Sequence, residues 1–178
     1  MDTENTNAAF LESARFRFIA LKKIGDFTLE QLADADLTWR PNEESNSIAV
    51  IVQHLHGNML SRWTNFLTED GDKESRDRDA EFLEPERMSQ AECLRLWNEG
   101  WTCLEEAVNA LTPDDVLREV TIRKKSLTVL DAIQRQLSHY AYHVGQLVHI
   151  ARERLGSRWK TLSIPRGESK QYRPGDRD

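Results

Sequence analysis

Apolar residues recur at intervals of three and four along four long stretches of this chain, a period that commits most of it to amphipathic α-helix rather than strand. The first stretch runs from about Asn7 to Asp26, with Phe10, Leu11, Ala14, Phe18, Leu21 and Lys22 on one face. Thr28-Leu29-Glu30-Gln31 has the form of a capping box and predicts a short helix after it. Pro41 and the polar run Asn42 to Asn46 break the pattern. A helix capped by Ser47 or Asn46 follows, from about Ile48 to Leu67, burying Ile48, Ile51, Leu55, Met59 and Phe66. Ser89-Gln90-Ala91-Glu92 opens the next, which carries Cys93, Leu96, Trp97, Trp101, Leu104, Val108 and Leu111. Thr128 with Asp131 begins the last, whose stripe is Leu130, Ile133, Leu137, Val144, Val148 and Ala151 and which stops at Gly156.

The intervening segments carry less pattern. Glu69 to Pro85 is densely charged and reads as a solvated loop or a frayed, poorly packed stretch, while Glu119 to Arg123 alternates as a short strand or hairpin arm does. The expected fold is all-α, an antiparallel four-helix bundle over residues 1–156 with a short extended segment before the last helix. Residues 157–178, with Pro165, Gly167, Pro174 and Gly175, form a tail that is either an ordered strap or disordered. A length of 178 residues needs only one domain.

Charge narrows the partners. A net charge of -6 opposes nucleic-acid binding, which depends on clustered Lys and Arg, and the run Arg123-Lys124-Lys125 is too short to reverse that. No apolar run approaches membrane-spanning length, and Met1-Asp2-Thr3-Glu4-Asn5 is acidic where a secretory leader is basic, so the expected location is cytoplasmic, without membrane. Cys93 and Cys103 lie about 15 Å apart along one helix, too far for a disulfide, and read as small buried residues. Trp63, Trp97 and Trp101 at helical spacing read as core or dimer-interface packing.

All five histidines fall in predicted helices. His139 and His143, four apart, project from one face with Cβ atoms about 6 Å apart, within reach of one ion. His149 lies off that face. A third ligand is required, and His54 and His56 both flank the apolar stripe of their helix, so periodicity does not choose between them. Asn58, Gln136, Tyr142 and Gln146 are candidate hydrogen-bond partners around such a site.

At these residues the chain resembles the DinB/YfiT-like superfamily, over nearly its whole length. The passages that carry the resemblance are Asn46-Ser47-Ile48-Ala49-Val50-Ile51-Val52-Gln53-His54-Leu55, Gly57-Asn58-Met59 and His139-Tyr140-Ala141-Tyr142-His143-Val144-Gly145-Gln146. Ser163-Ile164-Pro165-Arg166-Gly167 looks like a tail found in one branch of that superfamily. The resemblance implies a metal triad of His54, His139 and His143, with His56 as an extra, and a homodimer. The superfamily often has arginine after its last histidine, where this chain has Val144, so that arginine's contacts do not carry over. Three neutral imidazoles suit one divalent ion, Zn or Ni first and Fe or Mn after them, with a coordination position open. Characterised relatives are transferases and an isomerase acting with low-molecular-weight thiols. The resemblance thus implies a metal-dependent S-transferase-like enzyme, with a metal-dependent hydrolase or a non-catalytic metal-binding or dimeric interaction module as alternatives.

Overall fold

Hydroxyl caps set where three of the long helices begin. In the computed structural model, which describes residues 3–171, Ser47 Oγ accepts from the Val50 amide at 3.2 Å, Ser89 Oγ from Glu92 at 3.1 Å and Thr128 Oγ1 from Asp131 at 3.1 Å. Each satisfies an amide that the helix itself leaves without a partner, worth about 1 kcal/mol. The elements are α1 (Thr3–Leu29), α2 (Asp34–Leu37), α3 (Ile48–Trp63), α4 (Gln90–Asn109), β1 (Glu119–Ile122), β2 (Lys125–Thr128) and α5 (Val129–Leu155). The all-α expectation holds in its broad form: the described residues form five α-helices and one two-stranded antiparallel sheet, in which Val120 faces Leu127. Gly156 ends α5 with φ +55°. Of the tail, Pro174 and Gly175 lie outside the described residues, while Lys160 N donates to Gln31 Oε1 at 2.7 Å.

The box at Thr28 does not form. Thr28 lies inside α1 and its Oγ1 donates back to the Ile24 carbonyl at 2.7 Å, the alternative open to a mid-helix threonine, so α1 runs on to Leu29. The short helix α2 begins later, at Asp34, where the Asp36 carboxylate accepts from the Ala33 amide (3.1 Å) and from Arg154 Nε (2.7 Å).

Contacts between helices fix their directions. Asn7 donates to Pro113 O, Arg15 to Leu111 O, Lys22 to Asn98 and Trp97 to Asp26, so the sequence ascends along α1 as it descends along α4. The antiparallel expectation fails for one pair: α3 and α4 run the same way, with His56 Nε2 3.3 Å from Glu99 and, further along both, Thr64 Oγ1 3.6 Å from Cys103 Sγ. Parallel neighbours need a long connection, here residues 64–89.

Trp63, Trp97, Trp101 and Tyr140 fill the core, as expected of the tryptophans. Trp63 Nε1 donates to Tyr140 Oη at 2.9 Å and Tyr140 in turn to Asn58 Oδ1 at 3.0 Å, so the polar tips of two large rings are satisfied. Cys93 is buried beside them, and burial pushes its thiol up to about 12, so it stays protonated. Gly25 allows α1 to close on Trp97: a Cβ there would lie 2.1 Å from Cζ2 of the indole. Gly25→Ala is therefore expected to cost about 1–3 kcal/mol despite alanine's better helix propensity, measured as a lowered urea midpoint.

The charged run Glu69 to Pro85 is a largely exposed loop, as expected, but it is not frayed. Gly71 N donates to Thr121 O at 2.8 Å, and the Asp70 carboxylate accepts from the amides of Arg123 (2.9 Å) and Lys124 (2.8 Å) in the β1–β2 turn. Both turn residues have positive φ, 54° and 60°, as a two-residue hairpin turn requires, and Asp70 holds them there in place of the usual Asn-Gly. The charges in this run bind the neighbouring turn and one another, which charge density alone does not reveal.

Asp70→Ala is expected to lose about 2 kcal/mol, two charge-assisted hydrogen bonds less the water that replaces them. Burial raises the Asp70 carboxyl, but the Lys124, Asp72 and Arg123 amides lower it further, leaving it below the ordinary 3.8. A depressed acid stabilises the fold above its unfolded pKa, and that contribution disappears as pH falls through the folded value. Thermal midpoints measured from pH 6 down to acid should fall for the wild type, with a shallower acid slope in Asp70→Asn.

Candidate metal centre

Two helices and one loop bring the candidate ligands together. His54 lies on α3 and His139 and His143 on α5, and the three offer ligand nitrogens that all lie within 4.8 Å of one another. His54 Nε2 is 3.2 Å from His139 Nε2, which is 3.1 Å from His143 Nε2. Tetrahedral zinc with Zn–N bonds of 2.0–2.1 Å separates its nitrogens by roughly 3.3–3.4 Å, and octahedral cis ligands sit at roughly 2.9 Å. The spacing here lies between the two.

The protons on two of these rings are placed by their outer partners. His54 Nδ1 is 2.9 Å from Glu81 Oε2, and an ionised carboxylate can only accept, so the proton sits on Nδ1 and the Nε2 lone pair faces inward. His143 Nδ1 likewise donates to Gln146 Oε1 at 2.8 Å, and Gln146 Nε2 donates to Tyr142 Oη at 3.1 Å. The Nε2 lone pairs of His54 and His143 thus both face His139 Nε2. Burial first, then the neighbouring His143 and His54 and the Arg62 and Arg76 guanidiniums, push His139 down to about 3, so its ring is neutral. Burial and then His54 push His143 down to about 4. A neutral, convergent donor set of this kind fits a borderline divalent cation.

Glu81 is held in turn by Arg76, whose Nε and Nη2 donate to its two oxygens at 2.6 and 2.8 Å. Burial raises the Glu81 carboxyl, but the hydrogen bonds from Arg76 and His54 outweigh it and keep the group ionised. Carboxylate behind imidazole orients the ring and raises its basicity toward a metal. Phe82 packs on the His54 ring, centroids 4.6 Å apart, and covers that side of the ring.

Of the polar residues expected around the site, all four line the cavity over the histidines, about 390 Å³ in volume. Gln146 alone bonds a ligand histidine. Tyr142 steadies Gln146, Asn58 accepts from Tyr140, and Gln136 is buried with Oε1 unpartnered. The choice between His54 and His56, open on periodicity, is made by the neighbours: His56 faces Glu99 on α4, away from the cluster. His149, set aside in the sequence, is exposed. Arg76 and Glu81 were missed, and nothing in their spacing could have found them, because the contact between His54 and Glu81 spans 27 residues, much of it irregular loop after α3.

The fold and site define a helical protein with a buried trio of histidines able to hold one metal ion. The chain matches, over residues 5–168, the family described as protein of unknown function (DUF1572), and it belongs to that family. Against curated proteins it has no match. Among the described residues no helix is long and apolar enough to cross a membrane.

Proposed function

We propose that this protein is a cytoplasmic metal-dependent enzyme on the DinB/YfiT-like four-helix bundle, joining a low-molecular-weight thiol to an electrophilic substrate. The observation that carries the metal is the convergence of three Nε2 atoms, with neighbours 3.1 and 3.2 Å apart and the outer nitrogens of His54 and His143 committed to Glu81 and Gln146. The thiol chemistry is supported by the resemblance of the passages around His54 and His139 to that superfamily. A divalent ion, Zn or Ni before Fe or Mn, supplies Lewis acidity that lowers the pKa of a thiol or water brought to it. His54, His139 and His143 would hold it without cancelling its charge; Glu81 and Gln146 keep their rings aligned; Phe82 limits water on the α3 side. The thiol sulfur would form the new bond to carbon while the electrophile's leaving group departs and the thiol proton passes to solvent.

The test is turnover by the metal-loaded protein of model electrophiles with and without added thiol. Thiol-dependent turnover supports transfer. Turnover without thiol favours a metal-dependent hydrolase, and no turnover by a protein that binds no metal favours an interaction module. The homodimer is supported by an exposed apolar row on α1, Phe16, Ile19, Ile24 and Phe27. Light scattering should give twice the chain mass, reduced to one by Phe16→Asp with Phe27→Asp.

A further inference from the structure

The geometry points to a small polyanion as the substrate of this site, its charged end held by Arg62, Arg123 and Arg135 while its reacting end lies at the histidines. Resting on the metal-centre reading, this names the chemical class that the cavity accepts. Five arginines line the cavity, Arg62, Arg76, Arg78, Arg123 and Arg135, and no carboxylate does. Only two of the five pair with acids, Arg76 with Glu81 and Asp72, and Arg123 with Asp72. Arg62, Arg78 and Arg135 have no carboxylate partner among the described residues. On a chain of net charge -6 this is a concentrated reversal of sign, and a cavity walled by low-dielectric protein strengthens its pull on anions.

Arg62 shows that the charge is built in. It is 2% exposed, one guanidinium nitrogen donates to the Gly71 carbonyl, and its Nε has no partner. A buried guanidinium with an unused donor is costly unless something meets it, and an anion would. Gln136, also 2% exposed and part of the same lining, has an unpartnered Oε1, which suits a hydroxyl or amine donor on the same molecule.

The arginines and the histidines are offset. Arg62 follows His54 by eight residues on α3 and Arg135 precedes His139 by four on α5, rises of about 12 and 6 Å. Arg123, in the β1–β2 turn, leads into the start of α5. A ligand that reaches both ends therefore carries its charge several bonds from its reacting atom. Binding energy from that remote charge would orient the reacting end.

The test is calorimetric titration of the metal-loaded full chain with succinate and with inorganic phosphate, with succinamide as the neutral control, beside Arg135→Gln and Arg62→Gln. Arg135 is exposed, so Arg135→Gln folds whether or not Arg62→Gln does. Expected is millimolar or tighter binding of an anion, none of succinamide, weakening with salt, and about a tenfold loss in Arg135→Gln at unchanged metal content. Succinate alone assigns carboxylates; phosphate alone assigns a phosphate ester. Equal binding of succinamide, no binding of either anion, or full binding by Arg135→Gln overturns the proposal. Elemental analysis separates the two readings: arginine-dependent anion binding by a chain that holds no metal sinks the metal centre and leaves the anion site standing.

Discussion

His139→Ala is expected to abolish tight metal binding and, in the same variant, to leave the metal-free protein at least as stable as the wild type. The two effects have one cause. His139 Nε2 is the middle atom of the cluster, 3.2 Å from His54 and 3.1 Å from His143, so its removal leaves two ligands on different helices. Loss of a hydrogen-bond partner behind a ligand histidine costs roughly 10–100-fold in affinity, and loss of the ligand itself costs more than that. At free metal about 1,000 times the dissociation constant the wild type gains about 4 kcal/mol from binding; a 100-fold weaker variant gains only about 1.4. Without metal the sign differs. The deleted ring is one that burial and its neighbours hold neutral, so no ion pair is lost with it, and alanine is the better helix former within α5. Thermal melts with metal and with chelator, beside elemental analysis, should show curves that cross between the two conditions. A variant that keeps one equivalent of metal, or that is destabilised equally in both, would remove the metal centre from the account. Glu81→Gln, which leaves all three ligands, is expected to fall between, with affinity down about tenfold.

How far the sequence reached depends on whether the deciding interaction is local. Ser47, Ser89 and Thr128 each cap a helix through an amide three residues ahead, so spacing suffices. Thr28 shows the limit even there, because its hydroxyl had a competing acceptor one turn back and the hydrophobic face of α1 continued through Leu29. The pair His139 and His143 was legible for the same reason as the caps. The third candidate ligand was legible only through resemblance: His54 and His56 flank one stripe symmetrically, and what separates them, Glu81 and Phe82 on one side and Glu99 on the other, comes from different parts of the chain. A charged run carries no period, so Arg76 and Glu81 were indistinguishable from solvated residues. Their burial follows from the parallel course of α3 and α4, whose long connection has to cross the open side of the site.

That connection makes Arg76→Met the substitution with the largest expected cost to stability, about 3–5 kcal/mol, a large part of the 5–15 kcal/mol that holds a domain of this kind together. Both partners are out of water, with side chains 5% and 9% exposed, and the two hydrogen bonds between them are short and parallel. Removing Arg76 strands the Glu81 carboxylate in a place where burial opposes its charge, with His54 as its remaining close partner. The pair itself need not be worth that much, because desolvating two charges offsets most of their attraction. Arg76→Met together with Glu81→Leu should therefore recover most of the loss, giving a double-mutant coupling of at least 2 kcal/mol in urea denaturation with chelator present. Metal affinity should not recover, since the double variant still lacks the carboxylate behind His54. Stability restored without affinity would show that Arg76 serves the fold by neutralising Glu81, and that Glu81 is kept for the histidine. If the double variant is as unstable as Arg76→Met, the connection depends on the ion pair itself, and residues 64–89 are held by charge rather than by packing.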